Sequence, residues 1–302
     1  MRPGGTEELR SALLKNKVYF MDSSGTNKNV IKPDVTKNPG YQLRLVLELI
    51  FPFHNGSFIA KIDEAILGDE EFTKLAYYSS LNYLLRRLIV TSDHLKRKFD
   101  SGGFPAERYV QEIRKYLKSS FRFPGQIIED IHALLLQCLI ERNKTLSAAK
   151  IRAIINNAKS RNYGCYLCGR ELVFEKAGYD QHHPSLVEVE HIWPRSLGGS
   201  NELWNLEVAC HSCNNSKTDH IDYSDFHYEH FVLASDKRDE HYLSEFKREF
   251  RIAALMKGAG ECRSCGAKAV NKNVLSFGRL DSGDSWHLMN ISTFCETHKL
   301  KD

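Results

Sequence analysis

CYLCGREL (165–172), VEHIWPRSLGG (189–199) and NLEVACHSCNNSK (205–217) are the stretches on which the reading of this chain turns. Cys165-x2-Cys168 and Cys210-x2-Cys213 place two CxxC pairs in one short segment. Four thiolates satisfy a tetrahedral Zn²⁺ and each pair fits one tight knuckle, so the spacing predicts a structural zinc site. Between the pairs stand Glu190-His191, Gly198-Gly199 and Asn205; Asn214 and Lys217 follow the last cysteine.

That order resembles the HNH, or ββα-metal, nuclease family: an acid or His followed by His, a Gly-Gly turn, a mid-motif Asn, and a CxxC followed by His or Asn. The resemblance implies roles. His191 matches the general base, and a neutral imidazole accepts a proton near physiological pH. Glu190 stands where the family places its first metal-binding group, and carboxylate oxygen suits a hard cation, Mg²⁺ or Mn²⁺. Asn205 matches the residue whose side chain constrains the loop and so orients the base. Asn214 matches the third letter, which completes the catalytic metal site, and Lys217, one turn on, is placed to reach a phosphate. With Asn in third place this is an HNN variant. Adjacent residues of a strand point to opposite faces, so Glu190 and His191 need a strand end or turn to act together; Trp193-Pro194 and Gly198-Gly199 would supply it. Glu188 shares strand parity with Glu190 and reads as a supporting group. His211 contacts phosphate or merely packs.

Outward from this core, Cys262-x2-Cys265 and Cys295-x2-His298 predict a second zinc site, of the Cys3His type, on a small C-terminal ribbon-like module. Asp236–Lys257 reads as a helix ended by Gly258-Ala259-Gly260. Toward the N-terminus, helical periodicity is expected over Thr6–Lys15, Tyr41–Phe53, Phe58–Leu67, and from Asp69 to about Val90. A basic helix follows Pro105, an apolar stripe runs from Ile127 to Cys138, and a last helix covers Leu146–Ser160. Cys138 has no partner motif and reads as a small buried hydrophobe. The expected class is therefore α+β: a mostly helical N-terminal domain (1–144) for DNA or a partner, a zinc-stabilised ββα-metal nuclease domain (145–235), and a helix plus second zinc module (236–302).

The chain has 302 residues, net charge +4 and no apolar run long enough for a transmembrane helix. Metal-type cysteine spacing and an N-terminus unlike a signal peptide point to reduced thiols in the cytoplasm. Residues 86–122 carry ten basic and four acidic side chains. Such a cluster, with Lys96, Arg97, Lys98, Arg114, Lys115 and Lys118 as its centre, either tracks a phosphate backbone or forms a solvated helix face. The resemblance implies a DNA endonuclease or nickase with two structural Zn²⁺ beside its catalytic cation, in restriction or phage defence. A homodimer would give double-strand cleavage, and a partner ATPase or defence-system subunit would fit such a system. The alternatives are an RNA endonuclease and a non-catalytic zinc-dependent module that binds nucleic acid or protein.

Overall fold

A computed structural model describes residues 33–51, 70–103, 105–121, 123, 125–175, 182–226 and 248–299. The helices expected over Thr6–Lys15 and Phe58–Leu67, and the first part of the one expected from Asp236, lie outside these residues.

Among the described residues, five α-helices precede the cysteine-rich region. α1 is Pro39–Ile50, with Pro39 in the first turn, where its missing N–H costs nothing. α2, Glu70–Ser101, runs past the expected end near Val90, because nothing in 91–101 breaks a helix before Gly102-Gly103. That extension is held by Ser92 Oγ donating to Leu88 O (2.7 Å) and by the i,i+4 pair Arg97–Asp93 (2.8 Å). α3 is Ala106–Ser120 and α4 is Gly125–Asn143. α5 is Ala148–Ser160, capped by Ser147, whose Oγ accepts from Lys150 N at 3.2 Å. α1 packs on α2 and α4, and α3 packs on the same two helices. Leu43, Leu47, Leu85, Leu88, Ile113, Leu117, Ile131 and Leu135 are fully buried between them.

The ββα unit follows. β1, Val187–His191, pairs antiparallel with β2, Leu206–Cys210, in the register Val187↔Cys210 to His191↔Leu206. β2 runs directly into α6, His211–Lys217. After it, α7 (Arg248–Lys257) packs on α6 and on a second antiparallel pair, β3 (Leu275–Arg279) with β4 (Ile291–Cys295).

Among the described residues the buried apolar side chains form two hydrophobic cores. One lies among α1–α4 and also takes in Trp193 and Leu197, from the loop between β1 and β2. Cys138 is buried in it as a small apolar side chain, with burial pushing its thiol pKa up. The other core joins β1, β2 and α6 to the C-terminal residues: Cys165, Val208, Cys210 and Cys213 share it with Ile252, Cys262, Leu275 and Ile291. Residues 33–302 accordingly form one compact unit. Ion pairs fasten α1 and α2 to the segment after α6: Arg44 to Asp222 (2.7 Å), and Arg86 to Asp219 and Asp225 (2.8 Å each).

Candidate active site

The first cysteine pair sits in a turn where Gly169 N donates to Cys165 O (2.8 Å), and Tyr166 N ties that turn to Val208 O of β2 (3.1 Å). Cys210 caps α6 and Cys213 lies in its first turn. The Sγ atoms of Cys165, Cys168, Cys210 and Cys213 all lie within 4.8 Å of one another, and none is in a disulfide. A tetrahedron with metal–sulfur bonds of about 2.3 Å has edges of about 3.8 Å; Cys168 Sγ and Cys210 Sγ are 3.9 Å apart. The four thiols share hydrogen bonds, which hold the Cys165 thiol well below its ordinary pKa and push those of Cys168 and Cys213 up. Cys262, Cys265, Cys295 and His298 converge in the same way, with Cys265 Sγ to Cys295 Sγ at 3.8 Å and Cys295 Sγ to His298 Nδ1 at 3.2 Å. Both groups fit a tetrahedral Zn²⁺. They differ in exposure: the first is largely buried, whereas Cys265 and His298 of the second are exposed.

The loop from Ile192 to Asn205 is built around one amide. Asn205 is fully buried. Its Nδ2 donates to Trp193 O (3.1 Å) and Ser200 O (2.9 Å), and its Oδ1 accepts from Trp193 N (2.9 Å) and from Asn38 Nδ2 (3.1 Å). Every hydrogen-bonding position of the amide is filled, which fixes the loop's two ends relative to each other. Gly198 turns the loop with φ +80°, where a side chain would be strained and would meet Cys138 Sγ at 2.6 Å. At Gly199 a Cβ would fall 2.0 Å from Trp193 O. Trp193 Nε1 donates to Leu197 O (2.9 Å) and its ring meets Tyr41 edge-on, so the loop hangs from the helical core.

His191 ends β1, with Nε2 2.7 Å from Asn201 Oδ1. Burial, chiefly, and the charges of Arg195 and Lys217 hold its pKa below that of an ordinary imidazole, although the Asn201 bond opposes them. The ring is therefore neutral at pH 7. An amide oxygen at Nε2 takes the N–H, which leaves the Nδ1 lone pair as the basic nitrogen.

Residues 165–227 match the sequence profile of an HNH endonuclease family. The chain carries an HNH domain. No curated protein and no solved structure matches the chain.

Two placements within the HNH domain differ from expectation. Lys217, expected to reach a phosphate, is 1 % exposed; its Nζ donates to Glu190 Oε1 (2.7 Å) and to His191 O (2.9 Å). α6 presents His211, Asn214 and Lys217 along one face by i,i+3 spacing, and that face lies on the side of β1 carrying Glu188 and Glu190. Being last in this row puts Lys217 under the sheet rather than at the surface. Glu190, expected as the cation's carboxylate, is thereby an ion-pair partner, and burial nonetheless raises its pKa. Asn214 Nδ2 donates not to Glu190 but to Glu188 Oε2.

Three residues that brace the loop and His191 gave no signal in the sequence. Asn38, fully buried before α1, bonds both Asn205 and Ser200 N (2.8 Å to its Oδ1) from 162 and more positions away. Asn201 holds His191. Lys150 of α5 donates to Asn201 O (2.9 Å) and so steadies that residue in turn. In the basic segment, Arg86 is held by Asp219 and Asp225. Lys96 pairs with Asp100, Arg97 with Asp93, and Arg114 with Glu129 (2.8 Å). Lys98, Lys115 and Lys118 are exposed, and the last two line a shallow cleft on α3 with Gln111, Arg114 and Ser119. Among the described residues no helix is long and apolar enough to cross a membrane.

Proposed function

We propose that the chain is a metal-dependent endonuclease or nickase that hydrolyses DNA phosphodiester bonds, with His191 as general base. The observation that supports this most is the held imidazole: neutral, with Nε2 fixed on Asn201, at the end of β1. In this reading Nδ1 of His191 takes the proton of the attacking water, and imidazolium forms where Asn201 Oδ1 already accepts from the other nitrogen. Asn205 keeps the ring in place through the loop. Asn214, on α6, contributes to holding the divalent cation, Mg²⁺ or Mn²⁺. That cation, when bound, supplies charge neutralisation at the phosphate and leaving oxygens. Exposed Lys98, Lys115 and Lys118, with Lys96, Arg97 and Arg114 beside them, extend the nucleic-acid surface onto the helical half. One site of this kind cuts one strand, so nicked circles are the expected first product. Restriction or phage defence is the setting such an activity fits. Neither the fold nor the family match supports the expected ATPase partner or homodimer, and neither enters this reading.

The test is incubation of the zinc-loaded protein with supercoiled plasmid and Mg²⁺ or Mn²⁺, read as nicked against linear product. Cleavage by the parent and none by His191→Ala supports the proposal. An unchanged plasmid, or equal cleavage by both proteins, refutes it; cleavage of single-stranded or structured RNA in place of the plasmid would make the chain a ribonuclease.

A further inference from the structure

We infer that the hard divalent cation of this HNH domain is held by Glu188, His211 and Asn214, and that Glu190 is the counter-ion of Lys217 rather than a ligand. The inference rests on the nuclease reading above and specifies its metal site.

On one face, β1 offers two carboxylates. Glu190 lies inward. Its Oε1 is 2.7 Å from Lys217 Nζ, and the two side chains are 10 % and 2 % exposed. The pair is closed in charge, and Lys217 is further fixed by His191 O. A divalent ion entering there would face an ammonium group that has no other place to go. Breaking a buried pair by removing one partner leaves an uncompensated charge. Glu188 lies outward, 31 % exposed, with both oxygens directed at α6: Oε1 is 2.6 Å from His211 Nδ1, and Oε2 accepts from Asn214 Nδ2. His211 is partly exposed, and its other nitrogen lies 2.8 Å from Asn215 Nδ2. The ring of His182 stands 5.8 Å from that of His211.

Glu188, His211 and Asn214 thus stand in mutual hydrogen-bonding contact, a carboxylate, an imidazole and a side-chain amide on three partly exposed residues. Carboxylate and amide oxygens suit Mg²⁺ and Mn²⁺, and a single imidazole among them is accepted more readily by Mn²⁺ than by Mg²⁺, whereas the thiolate clusters select zinc. Rotation of the Asn214 amide would present its oxygen in place of the Nδ2 that now meets Glu188. Asn215 at the outer nitrogen would orient the His211 ring, as residues behind a ligand commonly do.

The experiment is Mn²⁺ binding to the zinc-loaded protein without nucleic acid, followed by electron paramagnetic resonance and calorimetry. The parent should bind one Mn²⁺ with a directly bonded nitrogen in its pulsed spectrum. Glu188→Gln should weaken binding at least tenfold, and His211→Ala should remove the nitrogen coupling. Glu190→Gln should leave the Mn²⁺ affinity within about threefold. Because this variant strands Lys217, Glu190→Gln with Lys217→Met is measured beside it, with zinc content and circular dichroism as checks on folding. Loss of Mn²⁺ binding in the folded double variant, or retention in Glu188→Gln, would overturn the assignment, as would a parent that binds no Mn²⁺. A protein that binds Mn²⁺ as described but cleaves no nucleic acid would sink the nuclease reading and leave the site standing.

Discussion

The two cores that meet along the β1–β2 loop are ordered by different chemistry. The helical core is a layer of fully buried aliphatic side chains, among them Leu43, Leu85, Leu88, Ile113 and Leu135, on helices of 12 to 32 residues. The other core is assembled from five-residue strands and short helices around ligand cysteines. Strands this short bury too little apolar area to order themselves, so metal binding has to supply folding free energy there. The HNH domain belongs to both. Glu188, Glu190, Asn214 and Lys217 stand on β1 and α6, whose Val187, Cys210 and Cys213 belong to the metal-ordered core, while Trp193 and Leu197, in the loop after His191, sit in the helical core. A working site needs both halves, but only one of them should respond to a chelator.

The largest expected effect tests that directly. Structural zinc contributes on the order of 10–16 kcal/mol in small zinc-folded units. Elemental analysis should find two Zn²⁺ per chain. Cys165→Ser should abolish cleavage and β-structure while leaving most of the helical circular dichroism in place. Under chelation the exposed second site, with Cys265 and His298 at the surface, should empty before the buried first. Simultaneous loss of helix and metal would show that the two cores do not unfold separately, and a protein free of zinc with full activity would remove both knuckles.

Next in size is the base. His191→Ala should cost on the order of 10²–10⁴ in rate, with zinc content and thermal stability nearly unchanged. The active form is neutral imidazole, so activity is lost as pH falls through the folded pKa. Because burial and neighbouring cations depress that pKa, the acid limb of the rate profile should lie below the range of an ordinary imidazole. A limb above that range would assign the titration to another group.

Asn38→Ala probes the join between the halves. It leaves Ser200 N–H without its partner in the interior and Asn205 Oδ1 with Trp193 N alone, a cost of about 1–3 kcal/mol. Cleavage should slow and the melting temperature fall, while Mn²⁺ affinity, set on the other side of β1, stays at the parental value. A melting temperature equal to the parent's would mean that water replaces the amide and that the helical half does not brace the loop.

The smallest effect separates the cations of the helical half. Replacing Lys98, Lys115 and Lys118 by Gln should weaken DNA binding across sequences and lower the salt dependence by up to about 0.9 per phosphate contact removed. Replacing Lys96, Arg97 and Arg114, which already face carboxylates, should change it less. Equal salt slopes for parent and both triple variants would leave this surface out of nucleic-acid binding.

Much of the site was legible because its signals are local. Two residues between cysteines is the reach of one turn, Gly198-Gly199 marks a bend, and an acid beside a histidine before a mid-motif Asn is an order carried by the chain itself. The described helices between residue 39 and residue 160 were legible for the same reason, apart from the end of α2, since 3.6-residue periodicity and the breakers at Gly102-Gly103, Pro105 and Gly125 need no partner to be read. Only the tertiary structure decided which carboxylate faces which group. Glu188 and Glu190 share one strand parity and one chemistry. What separates them is that α6, starting from Cys210, lays His211 and Asn214 against the first and Lys217 against the second. Nor could periodicity join Asn38 to Asn205 across 167 positions. A buried amide finds its partner by where the packed helices bring it, and that position is a property of the whole fold rather than of any stretch of the sequence.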